Sequence, residues 1–116
     1  MIFIYNNMTY LKYYENIEDN LEVGDYVLIK INILPYTQKQ IDTENFINNT
    51  IGKIIDIITD RNDVVVLYEN VPETIKSYFN INNGLDIRTF DINRIVEHGK
   101  TKEQLELKLQ ANKFNL

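Results

Sequence analysis

Apolar, mostly β-branched residues bunch in short runs, and the turn formers between those runs divide the chain into strands. The strongest run is Tyr26-Val27-Leu28-Ile29-Lys30-Ile31, entered through the turn pair Gly24-Asp25. A second covers residues 51–59, where alternation sets Lys53, Ile55 and Ile57 on one face and Ile54, Asp56 and Ile58 on the other. Asp60-Arg61-Asn62-Asp63 supplies four polar turn formers, and Val64-Val65-Val66-Leu67-Tyr68 follows at once. Two β-branched runs joined by a short polar turn predict an antiparallel hairpin over 51–68. As the centre of the core, this hairpin should unfold if Asp replaces Ile55 or Val66.

The connection 32–50 carries Pro35, and its stretch 42–47 predicts one helical turn capped by Asp42. Residues 72–79 predict a short helix with Pro72 in first position and with Ile75 and Phe79 on its buried face. Asn82-Asn83-Gly84 turns the chain into a strand over 86–90. A tight turn at 91–94 leads to a brief last strand at 95–98. The tail 101–113 predicts a helix: Thr101 and Gln104 have the spacing of a capping box, and Leu105 and Leu109 lie one turn apart. The alternation from Leu105 to Leu109 also suits a strand. In the N-terminal extension 1–21, residues 8–14 suit a strand or a helix, and three tyrosines and Thr9 favour the strand.

From 22 to 98 the order is therefore strand, long loop, hairpin, strand, single helical turn, short strand. Val23-Gly24-Asp25-Tyr26-Val27 is similar to the Gly-Asp-x-Val entry into the first strand of SH3-like barrels. Ile51-Gly52-Lys53-Ile54-Ile55 resembles the start of the second strand in barrels of KOW and Tudor type. Phe90-Asp91-Ile92-Asn93-Arg94-Ile95-Val96 resembles their closing turn and last strand. The resemblance covers about two-thirds of the chain. It implies one mainly β (α+β) domain over 1–116: an SH3-like five-stranded barrel core at 22–98, a short helical insertion and a C-terminal helix.

Length agrees with one domain, since a chain of 116 residues can bury one sizeable core. The absence of cysteine removes disulfides and thiolate chemistry, and with them cysteine-based metal sites. The first residues lack the basic start and apolar run of a signal peptide, and no stretch approaches the length of a membrane span. These features point to a cytoplasmic protein. A net charge of −5 argues against a general phosphate-gripping surface. Ile occurs 18 times and Asn 16 times, whereas Ala occurs once, at Ala111. Such a bias matches A/T-rich codons, hence a bacteriophage, a mobile element or a low-GC bacterium.

No catalytic constellation stands out. His98 and Ser77 are the only histidine and the only serine, and no acid or loop signature joins them into a triad. The acidic residues Glu15, Glu18, Asp19, Glu22 and Asp25 lack the order of a calcium loop, and no glycine-rich phosphate cradle is present. No enzyme, cofactor or metal is expected. Tyrosine offers a large rigid face with a polar tip, which suits interfaces. In SH3-like barrels the first long loop often binds ligands, which implies Tyr36 and Phe46 as partner-binding residues; the N-terminal group Tyr10, Tyr13 and Tyr14 is the second candidate. The expected role is a non-catalytic protein-binding module, an inhibitor or adaptor on a host protein. The alternative is a nucleic-acid-associated barrel, which would need Lys30, Lys53, Arg61, Arg88 and Arg94 to converge on one face.

Overall fold

The computed structural model describes residues 21–32, 34 and 36–114. The expected strand over 8–14, and Tyr10, Tyr13 and Tyr14 with it, lie outside the described residues. The elements are β1 (Tyr26–Ile29), α1 (Gln38–Asn48), β2 (Gly52–Ile58), β3 (Asp63–Tyr68), a 3-10 turn (Glu73–Tyr78), β4 (Asn80–Asn82), β5 (Leu85–Asp91), a second 3-10 turn (Ile92–Arg94), β6 (Ile95–Gly99) and α2 (Lys102–Phe114). The six strands form one antiparallel sheet in the order β4-β5-β3-β2-β1-β6. The sequence led us to expect five strands closed into a barrel. The sheet instead has six and is not closed, because β4 and β6 stand at its edges. No described helix is long and apolar enough to cross a membrane.

The hairpin β2–β3 lies at the centre of the sheet, and Ile54, Val64 and Val66 are fully buried. Strict alternation fails in β2, however. The register shifts between Ile54 and Asp56, so Ile55 is the extra residue of a bulge. The core therefore takes Ile54 and Ile57 from this strand, not Ile55 and Ile57.

The connection after β1 holds a full helix of 11 residues where one turn was expected. Its cap is Thr37, not Asp42. The Thr37 hydroxyl accepts from Gln40 N–H at 3.2 Å, and Gln40 Oε1 accepts from Thr37 N–H at 3.0 Å. Ile47 and Thr43 are buried one turn apart on the inner face of α1. Asn48 then lies along the end of β1, donating to Ile31 O and accepting from Ile31 N. This side chain occupies the backbone groups that a neighbouring strand would otherwise pair, which accounts for β1 ending at Ile29.

Pro72 precedes a 3-10 turn, and Ile75 and Phe79 are both buried, as expected. The short strand β4 was not expected. Asn83 and Gly84, both at positive φ, fold it back on β5. The C-terminal tail is a helix and not a strand. Thr101 accepts from Gln104 N–H, and Gln104 Oε1 accepts from Lys100 N–H one residue before the cap. Leu105 is completely buried against the β6 side of the sheet.

Candidate functional site

Cross-strand register assembles the site. Tyr26 of β1 lies opposite Lys53 of β2, and Lys53 lies opposite Leu67 of β3. Residues paired in this way project from the same face, so the three make a row on the side of the sheet away from Ile54. Lys53 Nζ sits 5.8 Å from the centre of the Tyr26 ring, within reach of a cation–π contact. At the strand ends the row meets Phe46 of α1, the linker residues Thr50 and Ile51, and Glu69 and Asn70 beyond β3. Lys102, the first residue of α2, completes the lining, and together these groups bound a cleft of about 350 Å³ with Gly52 in its wall.

The start of α2 is held beside β1 by a charged tether. Asp25 is 3% exposed, and its carboxylate accepts from Glu22 N–H at 3.0 Å and from Lys100 Nζ at 3.1 Å. Lys100 Nζ also bonds Glu22 Oε1 at 3.0 Å. These hydrogen bonds, to Glu22 first and then Asp25, hold the Lys100 ammonium above the ordinary lysine range. Lys53 and Lys102, by contrast, have no ion-pair partner among the described residues.

Of the sequence-derived site residues, Phe46 lines the cleft, and its ring also packs edge-on against Tyr68 and Phe79 at 5.8 and 6.0 Å. Tyr36 is 80% exposed just before the other end of α1, ten residues from Phe46 and so about 15 Å away at 1.5 Å per helical residue. Leu34 nearby is also exposed. Sequence reasoning did not group Tyr26, Lys53, Leu67, Glu69, Asn70 and Lys102, because the signal that unites them is strand register.

The five basic residues do not form one face. Arg88 is half-buried with its guanidinium carbon 6.0 and 5.7 Å from the Phe79 and Phe90 ring centres. Arg61 lies in the β2–β3 turn against Asp63, and Lys53 and Lys30 lie toward opposite ends of the first two strands. Ser77 and His98 are apart as well, beside the β4 and β6 edges respectively. Burial, reinforced by Lys108, holds the His98 imidazole below its ordinary pKa and so neutral at pH 7. Among the described residues no group of three or more His, Asp or Glu side chains is placed to hold a metal ion.

On the face of the sheet that carries Val66 and Tyr68, β5 turns two charges inward. Asp86 is paired with Lys76 at 3.1 Å, but Arg88 Nη1 and Tyr68 Oη are buried without a hydrogen-bond partner among the described residues. Burial pushes the Tyr68 phenol far above its usual pKa and lowers that of Arg88, each partly opposed by the other. An unsatisfied buried hydroxyl costs stability, so removing it should cost none. Tyr68→Phe is expected to leave the melting temperature unchanged or to raise it. A calorimetric fall of more than about 5 °C, near 1 kcal/mol for a domain this size, would show that the hydroxyl is bonded.

Comparison with protein-family models, curated proteins and solved structures returns no match for this chain.

Proposed function

We propose that this chain is a non-catalytic protein-binding module whose cleft is the docking site. The cleft itself carries the reading. Its volume of about 350 Å³ lies within the range of ligand-binding pockets, and its lining mixes the apolar side chains Phe46, Ile51 and Leu67 with the polar or charged Thr50, Lys53, Glu69, Asn70 and Lys102. Tyr36, rigid, aromatic and exposed, adds an anchor of the type that dominates interface energetics. A standard interface occupies about 800 Å² per partner, enough to include both. The compositional bias supports a phage or mobile-element protein that inhibits or adapts a host protein.

The finer architecture supports the same family of roles. With β4 set aside, the strand order β5-β3-β2-β1-β6, with a 3-10 turn before the last strand, is the order expected of an SH3-like barrel. The bulge in β2 supplies the bend such a fold requires.

Affinity capture from the lysate of a low-GC bacterium tests the reading. The chain is expected to retain a specific protein, and Tyr36→Ala or Lys53→Ala should each weaken that complex by more than about 1 kcal/mol at unchanged melting temperature. Phe46 is unsuitable for this comparison, because its ring belongs to the core cluster as well as to the cleft. Equal retention by both variants would overturn the reading.

A further inference from the structure

We infer that the cleft accepts an extended segment of the partner in which a carboxylate stands beside a large apolar side chain. This rests on the protein-binding reading and names the chemistry of the ligand. Three observations converge on it.

The first is charge. The chain carries −5 overall, yet this cleft sets two lysines against one acid, Glu69. Neither Lys53 nor Lys102 has an ion-pair partner among the described residues, so their charge is available to a ligand. The second is placement. Lys102 opens α2, where the helix field is positive and a cation is slightly unfavourable. Helix stability does not explain a lysine there. With Lys53 it brings two ammonium groups into one lining, either of which a ligand carboxylate could pair. The third is shape. Phe46, Ile51 and Leu67 contribute apolar surface to the lining, and Thr50 and Asn70 contribute side chains of the kind that can bond a peptide backbone. One excess positive charge matches a carboxylate better than a run of phosphates, which the net negative field would repel.

Selection from a random peptide library against the full chain provides the test. Enriched peptides are expected to place Asp or Glu next to an aromatic or large aliphatic residue. In fluorescence anisotropy, their synthetic counterparts should bind at least ten-fold more weakly to the double variant Lys53→Glu/Lys102→Glu. Affinity should also fall as salt is raised, because exposed charges are screened. Both lysines are exposed, so the double variant should melt like the parent. Enriched peptides lacking an acidic residue, or binding indifferent to the double reversal, would overturn this ligand chemistry and leave the protein-binding reading standing. Recovery of no binding peptide would count against both. A labelled single-stranded RNA oligonucleotide that binds the parent and not the double variant would assign the cleft to nucleic acid instead.

Discussion

Replacing Ile54 by Asp is expected to abolish the folded state, whereas Val66→Asp, at an equally buried position, should leave a weakened but folded domain. Both side chains are completely inaccessible and face each other across β2 and β3. Losing a buried isoleucine costs about 2–5 kcal/mol, and an unpaired buried charge adds several more. Their sum rivals the roughly 5–15 kcal/mol that holds a domain together. Beside Ile54 the chain offers a backbone ladder to Gly24 and Asp25, and the Asp25 carboxylate is already engaged by Lys100.

Val66 differs because it lies directly opposite Arg88 on β5. Directly opposed Cβ atoms are about 4.5–5.5 Å apart, and Arg88 Nη1 has no hydrogen-bond partner among the described residues. A carboxylate at 66 would reach it. Circular dichroism and urea melts of the two variants decide the matter. Equal loss of structure would show that Arg88 cannot turn toward position 66. Ile55→Asp, which the sequence pattern expects to unfold the domain as Val66→Asp would, should be tolerated better than Ile54→Asp, since Ile55 is the half-buried bulge residue.

Gly52→Ala is expected to destabilise by about 1–3 kcal/mol, the usual cost of an extra methyl in a packed core. A Cβ here would collide with Val66 Cγ1 and come within 3.0 Å of Tyr68 Cε1 and 3.1 Å of the Leu67 carbonyl oxygen. The carbonyl belongs to the β-ladder and cannot retreat. Val66 can be shortened, so the double variant Gly52→Ala/Val66→Ala should be more stable than the summed single effects predict. A double-mutant cycle measures that coupling. Strict additivity would mean that the glycine is required for something other than space. The same close approach lets Tyr68 lie against β2 and build the aromatic group with Phe46, Phe79 and Phe90 at 5.8–6.3 Å.

The elements legible in the sequence were those specified within a few neighbouring residues. The β2–β3 hairpin follows from two β-branched runs around Asp60-Arg61-Asn62, and the turn after Pro72 from a fixed φ and the Ile75/Phe79 spacing. The α2 start follows from Thr101 and Gln104. The α1 cap is equally present in Thr37 and Gln40, but a weakly amphipathic helix shows little apolar periodicity to mark where it starts, and Asp42 offers a competing cap. Tertiary contacts decided the rest. Asn80–Asn82 sets one isoleucine between two asparagines, too little strand propensity to mark a strand, and it pairs because β5 lies beside it. The bulge at Ile55 reassigned a whole face of β2, since side-chain direction alternates every residue and one extra residue inverts it. The cleft depended on the same geometry. Tyr26, Lys53, Leu67 and Lys102 are far apart in the chain, and they meet because β1, β2 and β3 pair in one register and Lys100 ties α2 to Asp25. Local propensity carries no information about which strands align, so the site exists only once the sheet has formed.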